Sequence, residues 1–128
     1  VVRFASFLTD HRGWVRALLA CLAVAPWAQA ASEATPEALV ERGLSAMRTN
    51  PDESRRDAEA ALAGLARRPD VDLEIRARLL LCDYFSERDQ SAAENQIALM
   101  TELLTRAHRT ALAAGVKTCQ GELRETVG

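Results

Sequence analysis

The side chains best suited to chemistry are few and far apart. Past residue 30 the chain carries two cysteines, Cys82 and Cys119, and one histidine, His108. A zinc site needs three or four ligands converging on one point, and three residues at plain helical positions do not supply it. A Cys119–His108 nucleophile pair fails on distance, because at 1.5 Å per residue one helix would hold them about 16 Å apart. Asp83, Glu87 and Asp89 cluster as an acid–base pair would, but Arg88 and a coming turn favour a solvated helix end. Gly-rich phosphate loops, nucleophile elbows and interleaved basic and aromatic residues are absent from the sequence. Arg55-Arg56 and Arg67-Arg68 are short basic pairs among acids, the pattern of a solvated face. No catalytic, cofactor-binding or metal-ligating residue follows from these patterns, and an enzyme is not expected.

The elements that position these residues are read from composition and periodicity. Of 128 residues, 24 are Ala and 17 Leu, while Gly and Pro together number ten and aromatics only 5%. Ala, Leu, Arg and Glu lose little on entering a helix, whereas a β-sandwich would need more Val, Ile, Thr and aromatic side chains. Apolar residues at 48% exclude a disordered chain, and 16 basic against 18 acidic residues argue against nucleic acid as a partner.

Five helices are expected. Thr35-Pro36-Glu37 starts the first by hydroxyl cap, proline and acid, and Leu39, Val40, Gly43, Leu44 and Met47 follow at helical spacing. Asn50 caps the second, whose inner face is Ala58, Ala61, Leu62 and Leu65, and Arg67-Arg68-Pro69-Asp70 closes it. The third runs from about Asp72 to Glu87. Ser91-Ala92-Ala93-Glu94 reads as a capping box opening the fourth, with Ile97, Met100, Leu103 and Leu104 inward. The last break, near Arg106–Arg109, is poorly marked, and one long helix through 92–127 is the alternative. The fifth carries Leu112, Val116, Cys119, Leu123 and Val127 on one face.

Helix starts near 36, 72 and 109 repeat at close to the tetratricopeptide period. The third helix has two apolar stripes, Leu73/Ala77/Leu80/Leu81/Tyr84 and Ile75/Leu79/Cys82. It therefore needs partners on two sides. Stacked hairpins provide both, and a compact bundle is the competing arrangement. The expected fold is all-α: stacked antiparallel helical hairpins, a tetratricopeptide-like solenoid fragment, over residues 31–128. With two hairpins and one orphan helix, Leu112, Val116, Leu123 and Val127 are expected to form a sticky exposed face. That pattern reads as the N-terminal piece of a longer protein or a truncated reading frame.

The first 30 residues read as a signal peptide with an upstream extension. A basic segment, His11–Arg16, precedes an uncharged apolar run, Ala17–Ala25, and Ala28-Gln29-Ala30 places small residues where signal peptidase cleaves. The run is about half the 20 residues that a spanning helix needs; an anchor and a buried helix are the alternatives. Leu18-Leu19-Ala20-Cys21 resembles a lipobox, but Arg16 stands too close for a full apolar stretch. Val1 fits either an alternative start codon or a start further down. Export implies a periplasmic location and an oxidising compartment. Cys82 and Cys119 then lie on corresponding helices of adjacent repeats, where either a disulfide or two buried free thiols fits.

The stretches Ala77–Asp89 (ARLLLCDYFSERD) and Thr118–Leu123 (TCQGEL) resemble the exported helical-repeat region of certain bacterial diguanylate cyclases. In that family a signal peptide precedes tetratricopeptide-like repeats, and a membrane helix and a cytoplasmic GGDEF catalytic domain follow. The resemblance covers residues 31–128. It aligns Gly121 with a repeat's small residue and Gly128 with its turn glycine, while Asp89 stands where another turn glycine is expected. It implies a non-catalytic sensory module binding a protein or peptide segment, with membrane attachment only through a downstream region that this sequence lacks. A small free-standing periplasmic helical scaffold is the alternative.

Overall fold

The computed structural model describes residues 33–128. The expected signal segment, including Ala28 and Ala30, lies outside the described residues. Five helices form where a cap satisfies free backbone donors. In α1 (Pro36–Ala46) the Thr35 hydroxyl accepts from the Ala38 amide at 3.2 Å. In α2 (Pro51–Leu65) the Asn50 carbonyl accepts from the Glu53 amide, and its amide group donates to the Glu53 carboxylate at 3.0 Å. Asp70 caps α3 (Val71–Ser86) through the Leu73 amide at 3.0 Å.

The start of α4 (Gln90–Leu104) differs from the expected Ser91 capping box. Asp89 caps it, accepting from the Ala92 amide at 3.0 Å, and Glu94 accepts from the Gln90 side chain instead. The missing turn glycine is thereby explained. Glu87 ends α3 in a right-handed conformation (φ −99°, ψ −5°), so no left-handed residue is required and position 89 is free to be a cap. The alternative of one helix through 92–127 is excluded, since α4 stops at Leu104 and α5 (Ala111–Val127) begins after a separate connection.

The helices stack as antiparallel hairpins. α1 pairs with α2 and α3 with α4, while α3 also lies against α1, α2 and α5, and α5 closes on α4. As its two stripes require, α3 enters two cores. Leu73, Ala77, Leu80 and Leu81 pack with Leu39, Val40, Ala58, Ala61 and Leu65. Ile75 and Cys82 pack with Ala93, Met100, Leu112, Val116 and Cys119, and Leu79 lies against that second cluster. Tyr84 departs from the expected stripe. It is half-buried, donating its hydroxyl to Asp52 at 2.8 Å, with the guanidinium groups of Arg55 and Arg88 over its ring.

The expected sticky face of α5 is corrected for three of its four residues, while the side chain of the fourth, Val127, lies outside those described. Leu112, Val116 and Leu123 are buried in the second core, and among the described side chains the exposed positions of α5 are Ala, Thr, Lys, Gly, Glu and Arg. Two partners, α3 and α4, suffice to cover these three residues.

Glycines in helix interiors have opposite roles here. A Cβ on Gly43 would stand 2.9 Å from Leu80 Cδ1 and 3.3 Å from the Ser54 carbonyl oxygen, because α1 crosses α2 and α3 closely there. A Cβ on Gly121 would meet nothing within 4 Å, so Gly121 is not the packing small residue that the repeat alignment implied, and among the described residues no glycine has a positive φ, so Gly128 is not a left-handed turn residue. We expect Gly121→Ala to raise stability by about 1 kcal/mol through backbone entropy. Gly43→Ala should lower it by roughly 1 kcal/mol net, since the strain of overpacking exceeds the propensity gain. Urea unfolding of both variants measures the pair, and the same sign for both would contradict the packing described.

Candidate functional site

α1, α3 and α5 form one row in which α3 separates the outer two, leaving a groove with α3 as floor and α1 and α5 as walls. Two clefts make up this groove. The first, about 340 Å³, is lined by apolar side chains of all three helices, among them Val40, Leu44, Leu79 and Leu80, with Gly115 opening the α5 wall. A Cβ at Gly115 would stand 3.0 Å from Leu79, so this glycine also sets how closely α5 approaches α3. The second cleft, about 530 Å³, is edged by Asp83, Glu87, Glu122 and Glu125, with Arg48 and Arg88 opposing them. Met47, Leu80, Asp83 and Glu122 line both, so the clefts are continuous.

Polar contacts and one covalent bond tie the helices of the groove to their neighbours. Arg76 of α3 pairs with Glu41 of α1 across one wall. Arg42 makes a bidentate pair with Asp57, a carboxylate only 7% exposed, which fixes α1 on α2. On the far side of α3, Arg78 joins Glu74 and the buried Gln96 of α4. Cys82 of α3 and Cys119 of α5 are joined as a disulfide with Cα atoms 6.4 Å apart, within the span that such a bond tolerates. The bond lies under the first cleft, which Cys119 helps to line.

The acidic residues do not act as one cluster. Asp89 is spent on the α4 cap, whereas Asp83 and Glu87 face the second cleft. Burial lifts the Asp83 carboxyl above the ordinary carboxylate range, with Glu87 adding to the effect and Arg88 opposing it. His108 sits on the α4–α5 connection with its ring largely in solvent, 3.8 Å from Asp72. Among the described residues, no three His, Cys, Asp or Glu side chains group as metal ligands would, and no helix is long and apolar enough to cross a membrane.

Leu44, Glu122 and Glu125 are groove residues that motif reading passed over. Leu44 looked like one more core position, yet it is 49% exposed, because α1 buries Leu39, Val40 and Gly43 and turns the next residue outward. The signal was present as an apolar arc wider than the α1–α2 interface consumes. Comparison with protein-family models, curated proteins and solved structures gives no match for this chain.

Proposed function

We propose that this chain is an exported, non-catalytic binding module of the tetratricopeptide-like kind, which holds a peptide or protein segment in the groove formed by α1, α3 and α5. The observation that carries the reading is the groove itself. It is a three-helix channel with an exposed leucine and with bare polar side chains continuous with apolar ones. Stacked hairpins present extended surfaces of this type, and a cleft lined by apolar residues with a few placed polar groups is a default binding site. The tetratricopeptide-like reading is supported by the packing order, in which the first helix of each hairpin touches its own partner and the first helix of the next. Fold alone does not name an activity, so the placement of the module in a diguanylate cyclase signalling protein rests on the resemblance of residues 77–89 and 118–123. In such a protein, a segment that binds one spacing of the walls better than another would shift the attached output.

Selection of a random peptide library on the purified protein tests the binding role. The expected result is a set of peptides whose binding is lost in Leu44→Arg and kept in Glu102→Arg, a substitution at an exposed position of α4. Peptides that ignore Leu44→Arg would place binding elsewhere and remove the reading. Export is tested separately by an alkaline phosphatase fusion after Gly128, which should be active. The cyclase connection predicts an in-frame continuation of the coding DNA that encodes a GGDEF motif.

A further inference from the structure

We infer that the groove takes a segment of a protein partner that presents an apolar side chain beside a lysine or arginine. This rests on the groove being the binding site. The two clefts share Met47, Leu80, Asp83 and Glu122, so neighbouring side chains of one bound segment can fill both. The apolar cleft accepts the first. The second cleft offers Asp83, Glu87, Glu122 and Glu125 against two arginines, and one of these, Arg88, is already turned onto the Tyr84 ring and donates to the Tyr84 carbonyl at 2.9 Å. None of the four carboxylates takes part in an ion pair among the described residues.

A second observation lies in the same cleft. Ser54 of α2 lines it, is only 1% exposed, and its hydroxyl has no hydrogen-bond partner among the described residues. Buried polar groups are ordinarily satisfied, so an orphan hydroxyl in the wall of the cleft that these carboxylates edge is a group that a bound donor would complete.

The competing occupants fit less well. An acidic segment would add like charge to four carboxylates already short of counter-charge. A bare metal ion lacks converging ligands among the described residues. A second copy of the chain would need an exposed apolar anchor outside the groove. Among the described residues Leu44 is the large exposed apolar side chain, and it lies within the groove.

Fluorescence anisotropy of the purified protein with four labelled peptides of equal length tests this. One carries Leu beside two Lys in a Ser–Gly background; the others carry Leu beside two Glu, Leu beside Ser, and Ser beside two Lys. The Leu–Lys peptide should bind about tenfold more tightly than each of the others, the size of effect that one or two partly exposed charge contacts and one buried side chain produce. Its advantage should shrink between about 50 and about 500 mM NaCl as screening shortens the reach of the charges. It should also vanish in a Glu122→Lys/Glu125→Lys variant, whose altered residues are exposed and whose retained helicity is checked by circular dichroism. Equal or tighter binding of the Leu–Glu or Leu–Ser peptide, lost in Leu44→Arg, would overturn the inference and leave the groove reading standing. Equal binding of the Ser–Lys peptide would reduce it to general electrostatics. Binding of none of the four would count against the groove as well.

Discussion

Reducing the Cys82–Cys119 bond lowers the unfolding free energy of this protein by about 4 kcal/mol, the chain-entropy value for a loop of that size. The two residues are 37 apart in sequence, and the loop they close contains all of α4 and the α4–α5 connection. Without the bond the unfolded chain regains the freedom of that whole loop, while the folded state keeps its packing, since Cys82 and Cys119 are both buried. Urea unfolding with and without reductant, and of the Cys82→Ala/Cys119→Ala double variant, measures the difference. The oxidised protein, unfolded, should show no reactive thiol from this pair; two reactive thiols there would end the account. Because the bond ties the α5 wall to the α3 floor, reduction should also weaken groove binding before it unfolds the protein.

Ile75→Ala is the other large effect, a loss of about 3 kcal/mol, within the range for deleting a fully buried aliphatic side chain and leaving a cavity. Ile75 is 0% exposed and sits between Ala93, Met100 and Val116 on one side of α3, while Leu73 and Leu80 face α1 and α2 on the other. Stacked repeats are stabilised by nearest-neighbour interfaces. The element between both cores must therefore transmit damage to each. Unfolding of Ile75→Ala, followed by probes in α2 and in α5, should give one shared midpoint below that of the parent protein. An α1–α2 half that melts at the parental midpoint while the rest unfolds early would show that α3 does not couple the two cores.

The starts of α1 and α2 were legible because each is settled within four residues, where the Thr35 and Asn50 side chains accept from amides three positions on; Asp70 does the same for α3, although in the sequence it reads as the close of α2. The two-sided character of α3 was legible for a related reason. Its two apolar stripes are a property of one helix, and their presence alone requires two partners. The α4 boundary misled because two competent caps, Asp89 and Ser91, stand two residues apart, and the earlier one takes the amide.

The α4–α5 break carried no local mark, and the structure shows why. Thr110 makes no side-chain cap, and the connection is held instead by Asp72, whose carboxylate accepts from the His108 amide at 2.8 Å and the Arg109 amide at 3.1 Å. That signal lies 36 residues upstream of the turn it fixes. The groove was hidden in the same way. Whether Leu44 is core or surface, and whether Asp83 and Glu87 face the same cleft as Glu122, depends on how α1 and α5 lie against α3. The sequence by itself determined an all-helical chain, two of its helix starts and the helix that must lie in the middle. Tertiary structure alone decided the last turn, the polarity of the α5 surface and the groove, because caps and stripes act within a helix whereas a shared face exists only once separate helices have met.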